Sequence, residues 1–256
     1  MKLLRILLII PALFLVVGCS GKKQVKQDAE QFNPEASFDR ADKLLSNKDY
    51  DAARALLLEV KNRDLTKKYA PLAQLRIADA YIKEQEPELA VAEYRRFLEM
   101  YPDHRHAPYA QYQIAMVYFG QIEGPERGYG GAAKALREFE RLKSNFPRNP
   151  YKDLVELRIE KCRNVIADYE FLVGEFYLKN GSYQAAIGRL EGLLRNFPDY
   201  KKQDNLLLNL GIAYKKAGEA EKAASYLDQL IEKFPASKLA GNAKKELASL
   251  RKADKK

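Results

Sequence analysis

The sequence is poor in the residues that most often bind metals or carry out chemistry. It has two cysteines and two histidines among 256 residues. His104 and His106 are two residues apart, in YPDHRHAPYA, with too few ligands nearby for a zinc site. If Cys19 is modified, Cys162 is left alone and no intrachain disulfide can form. We expect no metal site and no cofactor, and a fold whose stability comes from packing.

Catalytic motifs are also missing. The sequence contains no nucleophile elbow, no HExxH and no cysteine beside a histidine. The glycine-rich GPERGYGG lacks the GK[ST] ending of a phosphate loop and follows a predicted helix, not a strand. Cys162, in ELRIEKCRNVI, is typical of a small packed residue. These absences predict a protein that is not an enzyme.

The charge balance is basic but evenly spread. The chain has 44 lysines and arginines against 35 acidic residues, a formal net charge of +9. The two signs alternate along amphipathic segments and do not gather in one basic stripe. This pattern indicates solvated helix faces and argues against a nucleic-acid partner.

One long apolar run stands at the N-terminus. Lys2 and Arg5 form a basic start, Leu3–Val17 is apolar, and Gly18-Cys19 ends the run, which is the layout of a secretory signal. The run is too short to span a bilayer comfortably. Residues 16–19, VVGC, resemble the lipobox of bacterial lipoproteins, in which signal peptidase II cleaves before a cysteine that then carries diacylglycerol. An ordinary signal peptide followed by a chance cysteine is the alternative.

The lipobox resemblance implies a signal peptide over residues 1–18 and a lipidated Cys19. Several acyl chains on one residue form a stable membrane anchor without a transmembrane helix. Residues 19–35 are polar and predict a flexible tether, with ordered structure beginning near Phe38. Ser20 follows the cysteine where an aspartate would retain an enteric lipoprotein at the inner membrane, so the outer membrane is expected.

A repeat organises the rest of the chain. Its pattern is small-x-x-Tyr, an alanine nine residues after the tyrosine, an apolar residue four later and a proline eight beyond that. Three segments match it: Ala78, Tyr81, Ala90, Tyr94, Pro102; Gly174, Tyr177, Ala186, Leu190, Pro198; and Gly211, Tyr214, Ala223, Leu227, Pro235. Two weaker copies are Ala41, Leu44, Ala53, Leu57 and Ala115, Tyr118, Ala135, Phe139, Pro147.

This spacing is that of two antiparallel helices that cross at small residues, the second helix ending before proline. It resembles a lengthened tetratricopeptide (TPR) repeat, and repeats of this kind stack because none buries its apolar face alone. The predicted fold is therefore an all-α, TPR-like solenoid of five helix pairs. A coiled coil is disfavoured, since proline and glycine recur at the segment ends.

Two departures from the repeat spacing predict further elements. Eight extra residues in the third repeat, within GQIEGPERGYGG, predict a loop. Fourteen extra residues before Gly174 predict one long helix over Tyr151–Lys179, ahead of and into the fourth repeat. We expect an N-terminal block at 36–149, a C-terminal block at 150–251 that ends in a capping helix from about Ser237 to Arg251, and a basic tail at 252–256.

The lipobox, the five repeats, the third-repeat insertion and the long helix together resemble the BamD family of outer-membrane assembly lipoproteins. The resemblance is most specific in residues 101–119 (YPDHRHAPYAQYQIAMVYF) and 167–200 (ADYEFLVGEFYLKNGSYQAAIGRLEGLLRNFPDY). It implies a lipid-anchored scaffold on the periplasmic face of the outer membrane. The C-terminal repeats would bind BamA and the N-terminal ones unfolded outer-membrane β-barrel proteins. Other Bam lipoproteins are further candidate partners.

Two candidate sites follow. The repeat register turns a set of side chains on the first helices of repeats two and three toward the concave side, as a substrate surface: Leu75, Asp79, Ile82, Tyr109, Tyr112, Met116 and Phe119. Core packing of Tyr112 or Phe119 is the alternative. Arg189, in AAIGRLEG, matches the arginine at the family's BamA contact. A solvated pairing of Arg189 with Glu191 or Asp199 is the alternative for that residue.

Other functions remain open from the sequence. Another repeat lipoprotein would have the same architecture, for example a pilotin for secretin or pilus assembly, or an adaptor for periplasmic proteases. A wall-modifying enzyme with an unrecognised site is a third possibility. Copurification of BamA would support the BamD-like scaffold, and copurification of a secretin or a protease would support another repeat lipoprotein. Peptidoglycan cleavage tests the wall-modifying enzyme.

Overall fold

The computed structural model describes residues 32–253, which contain eleven α-helices, one short 3-10 helix at Pro125–Arg127 and no β-strand. The signal peptide, Cys19, the tether up to residue 31 and the tail from residue 254 lie outside the described residues. The α-helices are α1 (Pro34–Ser46), α2 (Tyr50–Arg63), α3 (Ala70–Glu84), α4 (Pro87–Met100), α5 (Ala107–Gly120), α6 (Gly130–Asn145), α7 (Lys152–Lys179), α8 (Tyr183–Asn196), α9 (Gln203–Lys216), α10 (Ala220–Lys233) and α11 (Ala240–Ala253).

The helices form a stack of pairs. Each helix packs against the next one in the chain, and further contacts join α1 to α3, α7 to α9, and α9 to α11. The first helices of the pairs therefore lie side by side along one side of the stack. The predicted all-α, TPR-like solenoid of five helix pairs with a capping helix is confirmed. No helix within residues 32–253 is both long and apolar enough to cross a membrane.

The repeat residues occupy the helix crossings. The alanines of the pattern on the second helices are fully buried, as are Ala78 and Ala115 on the first. At Gly174 an added Cβ would lie 2.4 Å from a methyl carbon of Leu190, and at Gly211 it would lie 2.6 Å from one of Leu227. No side chain larger than hydrogen fits there unless the paired leucine shifts.

The observed helices begin within a few residues of the predicted positions. The first helix begins at Pro34, before the expected Phe38, because proline at a helix start has a suitable φ and the acidic Glu35 stands in the first turn. The long helix begins at Lys152, one residue later than predicted. The capping helix begins at Ala240 and not at Ser237, whose hydroxyl accepts a hydrogen bond from the Leu239 N–H.

The long helix α7 belongs to two cores. Val155 and Cys162 pack with α5 and α6, whereas Ala167 and Phe171 pack with α8, α9 and the helices that follow. One continuous helix thus connects the third repeat to the fourth. The division of the chain into two blocks near residue 150 stays a prediction.

Candidate partner-binding surfaces

The first surface lies on α3 and α5, and its centre is a carboxylate. Asp79 Oδ1 accepts hydrogen bonds from the Tyr94 hydroxyl at 2.6 Å and from the Tyr109 hydroxyl at 2.8 Å. Burial and the charge of Asp79 raise the pKa of Tyr109 to about 12. Asp79 and Tyr109 are both half-buried, so this cluster connects the two helices and still presents part of its surface to solvent.

The remaining aromatic residues of this surface lie further along α5. Tyr112 stacks on Tyr151 with ring centroids 4.2 Å apart, and Phe119 meets Phe139 edge-on at 6.0 Å. Tyr112, Met116 and Phe119 are half-buried against the core of the third repeat. Each ring therefore packs on the core, as the alternative interpretation expects, and exposes one side. A role of these rings in substrate binding stays a prediction.

Leu75 does not contribute accessible surface. Its side chain is only 5% exposed and packs in the core of the second repeat with Ala78 and Tyr94. Its position in the first half of α3 places it in a core shared with α4 and α5, whereas the last turn of α3 reaches beyond that core. Ile82, in contrast, is 38% exposed. We call the exposed set the α3–α5 face: Asp79, Ile82, Tyr109, Tyr112, Met116 and Phe119.

Two cations from α7 flank this face and were not predicted. The guanidinium carbon of Arg158 lies 5.6 Å from the ring centroid of Tyr112 and 5.7 Å from that of Phe119. Lys161 Nζ lies 5.3 Å from the centroid of Phe119. Helical spacing places Arg158 and Lys161 on neighbouring turns, but their approach to α5 depends on how the long helix packs, which the spacing does not indicate.

The second surface surrounds Arg189 on α8. Arg189 Nη1 donates a hydrogen bond to Glu170 Oε2 on α7 at 3.0 Å, and the two side chains are 49% and 18% exposed. The pairing with Glu191 or Asp199 is wrong. Glu191 lies two residues further round the helix, where its Oε1 accepts hydrogen bonds from Tyr214 and Tyr226.

The Arg189–Glu170 pair occupies a recurrent position of the repeat. In the second repeat Gln74, four residues before the small residue, donates to Glu93, three residues after the alanine. In the third, Gln111 donates to the Glu138 carboxylate at 2.9 Å. Both glutamines are buried. In the fourth repeat the same two positions hold a carboxylate on the first helix and an arginine on the second, and the pair is open to solvent.

A groove of about 380 Å³ runs beside this pair. Its walls include Tyr129 from the third-repeat insertion, Ile166 from α7, and Leu193 and Phe197 at α8. Gly188 and Gly192 leave the groove open, since a Cβ at either position meets no atom within 4 Å. The groove therefore combines apolar walls with a half-exposed cation.

The remaining polar candidates show no arrangement for chemistry. The rings of His104 and His106 lie 5.3 Å apart beside Arg105, and burial lowers the pKa of both. Cys162 is buried, which raises the pKa of its thiol to about 11 and keeps it protonated. Across residues 32–253, no three His, Cys, Asp or Glu side chains come together as a metal site.

The fold defines a TPR-like helical-repeat protein, and these two surfaces are its candidate partner-binding sites. Residues 30–226 match the family model YfiO, described as outer membrane lipoprotein, and the chain belongs to that family. It is 26% identical over 246 residues to the outer membrane protein assembly factor BamD of Neisseria meningitidis, covering 91% of this chain and 92% of the relative. BamD of Pasteurella multocida is 26% identical over 221 residues, covering 82% and 84%.

Solved structures of TPR proteins are similar at lower identity. The TPR2AB domain of yeast Sti1, in a complex with pHSP90, is 14% identical with a TM-score of 0.47, covering 87% of this chain and 84% of that one. TTC0263 from Thermus thermophilus is 18% identical with a TM-score of 0.34, covering 85% and 98%.

Proposed function

We propose that this protein is a lipid-anchored scaffold of the outer-membrane β-barrel assembly (BAM) complex. Cys19 carries the anchor, α8 docks on BamA through Arg189 and the adjoining groove, and the α3–α5 face receives unfolded outer-membrane proteins. Family membership and the names of the relatives support the assembly role over a pilotin or a protease adaptor. The observation that carries the docking proposal is the half-exposed Arg189–Glu170 pair beside an open apolar groove.

The geometry of Arg189 suits an interface. Glu170 holds one guanidinium nitrogen and leaves other N–H groups directed at solvent, where a partner carboxylate can accept two parallel hydrogen bonds. Lysine has no such planar fork. Docking buries the arginine further, and loss of one member of a buried charge pair costs about 2–5 kcal/mol. A BamA segment with a carboxylate next to a bulky apolar side chain would fill both parts of the site.

Copurification tests the docking site. Arg189→Glu should abolish recovery of BamA with the tagged protein, and Arg189→Lys should reduce it, both with normal membrane localisation. Arg137→Glu, the same charge change at an exposed residue of α6, is the matched control and should recover BamA normally. Recovery of BamA at the wild-type level with Arg189→Glu in moderate salt would show that Arg189 is not part of the contact.

A charge-swapped double variant separates folding from docking. Glu170→Arg with Arg189→Glu keeps an ion pair between α7 and α8 while it reverses the charge that faces the partner. We expect a thermal melt close to that of the wild type and no BamA recovery. Restored recovery would mean that the pair matters only for the packing of the two helices.

Photocrosslinking tests the substrate surface. A photoreactive residue at Ile82, on the α3–α5 face, should crosslink newly made outer-membrane proteins in cells. The matched control is Leu58 on α2, which is 42% exposed against 38% for Ile82. Equal crosslinking at both positions would contradict a substrate surface on α3 and α5.

A further inference from the structure

The loop between α2 and α3 departs from the repeat at one of its most regular positions. The second helices of the other four pairs are each followed by an aromatic residue and a proline, whereas α2 is followed by Asp64 and Leu65. Leu65 is 92% exposed, the largest fraction among the exposed large apolar residues of 32–253. The packing of the first repeat therefore does not account for an apolar side chain at this position.

Asp64 fixes the shape of this loop. Its Oδ1 accepts hydrogen bonds from the N–H of Thr66 at 3.0 Å and from the Thr66 hydroxyl at 2.5 Å. Its Oδ2 accepts from the N–H groups of Tyr69 at 2.5 Å and Ala70 at 2.8 Å, at the start of α3, where the helix dipole favours a carboxylate. Asp64 thus uses its charge within the loop, and an ordered turn presents Leu65 to solvent.

Cations accompany the exposed leucine. Lys67 and Lys68 follow it on the same loop, and both are exposed. Across residues 32–253, neither of these ammonium groups forms an ion pair with a carboxylate, and Lys68 Nζ donates to the Tyr69 hydroxyl at 3.0 Å. Arg63 is also exposed and pairs with Glu59 at 2.6 Å. The tip of the loop therefore combines one apolar side chain with two unpaired positive charges.

The loop lies beside the start of α1, where the chain from the N-terminus enters the fold. The Tyr69 hydroxyl donates to Glu35 Oε1 at 2.8 Å, and the ring centroids of Phe38 and Tyr69 are 6.4 Å apart. Glu35 follows the proposed lipidation site Cys19 by 35 − 19 = 16 residues. A chain of this length spans at most about 55 Å. A lipid on Cys19 would therefore keep this corner of the fold within that distance of the bilayer.

We propose that the α2–α3 loop is a second membrane contact, in which Leu65 enters the headgroup region of a bilayer and Lys67 and Lys68 bind lipid phosphates. An exposed leucine favours an apolar phase and the ammonium groups favour anions, and a bilayer surface supplies both within a short depth. The inference rests on the proposed lipid anchor at Cys19. An anchor at the end of a chain fixes the position of the solenoid but not its orientation, which a second contact would restrict.

Tryptophan fluorescence of the full lipidated chain tests the proposal. The protein contains no tryptophan, so Leu65→Trp places a single reporter at the tip of the loop. In vesicles of phosphatidylethanolamine and phosphatidylglycerol whose acyl chains are brominated near the headgroup, its emission should shift to the blue and fall about twofold, because bromine quenches a tryptophan at that depth. The matched control is Leu89→Trp on α4, where the leucine is 48% exposed, and it should show neither change.

Lysine variants and labelling test the role of charge. Lys67→Gln with Lys68→Gln should remove most of the quenching at position 65, whereas Lys244→Gln with Lys245→Gln, the same charge change on α11, should preserve it. Amine acetylation of the wild-type protein requires no substitution. Lys67 and Lys68 should react about threefold more slowly in the anionic vesicles than in a nonionic detergent, since bound phosphates shield their ammonium groups. Lys244 and Lys245 should react alike in both.

Flotation with vesicles separates this inference from the proposed function. If the wild-type protein floats but Leu65→Trp is quenched no more than Leu89→Trp, the anchor stands and the loop contact is wrong. Full quenching after loss of both Lys67 and Lys68 would exclude phosphate binding by these residues. Protection of the two lysines that appears only after BamA is added would show that the loop contacts protein and not lipid. A wild-type protein that does not float would contradict the anchor, and this inference with it.

Discussion

At the scale of single residues, glycines of this chain have opposite roles. Gly174 is buried against Leu190, which is itself fully buried and has no room to move away from a new methyl group. Gly241, near the start of α11, has nothing within 4 Å of an added Cβ. Glycine to alanine therefore strains the fold at position 174. At position 241 the same change replaces a poor helix former with a good one.

We predict that Gly174→Ala lowers the free energy of unfolding by about 1–3 kcal/mol, the usual cost of overpacking a core. Gly241→Ala should leave it unchanged or raise it by up to ~1 kcal/mol, the difference in helix propensity. Urea unfolding followed by circular dichroism measures both. If Gly174→Ala were as stable as Gly241→Ala, the close approach of α7 and α8 at Leu190 would be disproved.

The tyrosines around Asp79 make stability depend on alkaline pH. Burial, with the charge of Asp79, raises the pKa of Tyr109 to about 12 and that of Tyr94 above its usual range, whereas an unfolded tyrosine titrates near 10. The folded state thus holds these protons more tightly than the unfolded chain. The resulting contribution to the free energy of unfolding is complete below about pH 10 and is lost as the pH rises toward 12.

We therefore predict that the free energy of unfolding falls between pH 10 and 12, and that Tyr109→Phe makes the fall shallower. The variant should also lose about 1.5–3 kcal/mol at pH 8, since it removes a hydrogen bond to a carboxylate. Urea titrations at pH 8, 10 and 11 measure the slope. Identical slopes for the two proteins would mean that Tyr109 titrates alike in the folded and unfolded states.

At the scale of elements, the sequence predicts the helix pairs because their crossing points require small residues at a fixed spacing. The small residue at 78, 115, 174 or 211 and the alanine that follows it must meet where two helices cross, so their spacing alone locates the pairs. Leu75 was misplaced because the repeat spacing locates the residues at a helix crossing precisely. It does not indicate how deeply the other residues of the same helix are buried. Arg158 and Lys161 were missed because their neighbours come from α5, far away in the chain.

The groove on α8 gives an element-scale prediction. Gly192→Leu should occupy part of the groove beside Arg189, because the Cβ position is open and the surrounding walls are apolar. We expect a folded protein at least as stable as the wild type, since leucine favours a helix over glycine, but at least a tenfold loss of affinity for purified BamA. Gly241→Leu, on α11, is the matched control and should bind normally. Normal binding by Gly192→Leu would exclude the groove from the interface.

At the scale of the whole molecule, the two proposed surfaces are connected by α7. Its first half packs with α5 and α6 and carries Arg158, and its second half packs with α8 and carries Glu170, the partner of Arg189. The sequence predicted this helix to within one residue of its start because Pro150 stands just before it and residues 151–173 contain no proline or glycine. It did not indicate that one helix supports both surfaces.

If α7 fixes the distance between the two surfaces, a kink in it should impair their joint action without loss of either. Asn164 lies between Cys162 of one core and Ala167 of the other. Proline there removes a helix hydrogen bond and costs about 3 kcal/mol locally. We predict that Asn164→Pro still recovers BamA and still crosslinks substrate at Ile82, yet assembles β-barrels several-fold more slowly in proteoliposomes with the complete complex.

Asp153→Pro is the matched control for this prediction. It places proline at the second residue of α7, the position that Pro71 occupies in α3 and Pro108 in α5. Hydrogen exchange should show weakened protection around residue 164 in the first variant and unchanged protection there in the second. Each surface keeps its own core in the Asn164→Pro variant. Binding of BamA or of substrate alone therefore tests one surface, and assembly of β-barrels tests whether α7 must connect the two surfaces. Wild-type assembly rates with a demonstrably kinked α7 would show that the two surfaces act independently.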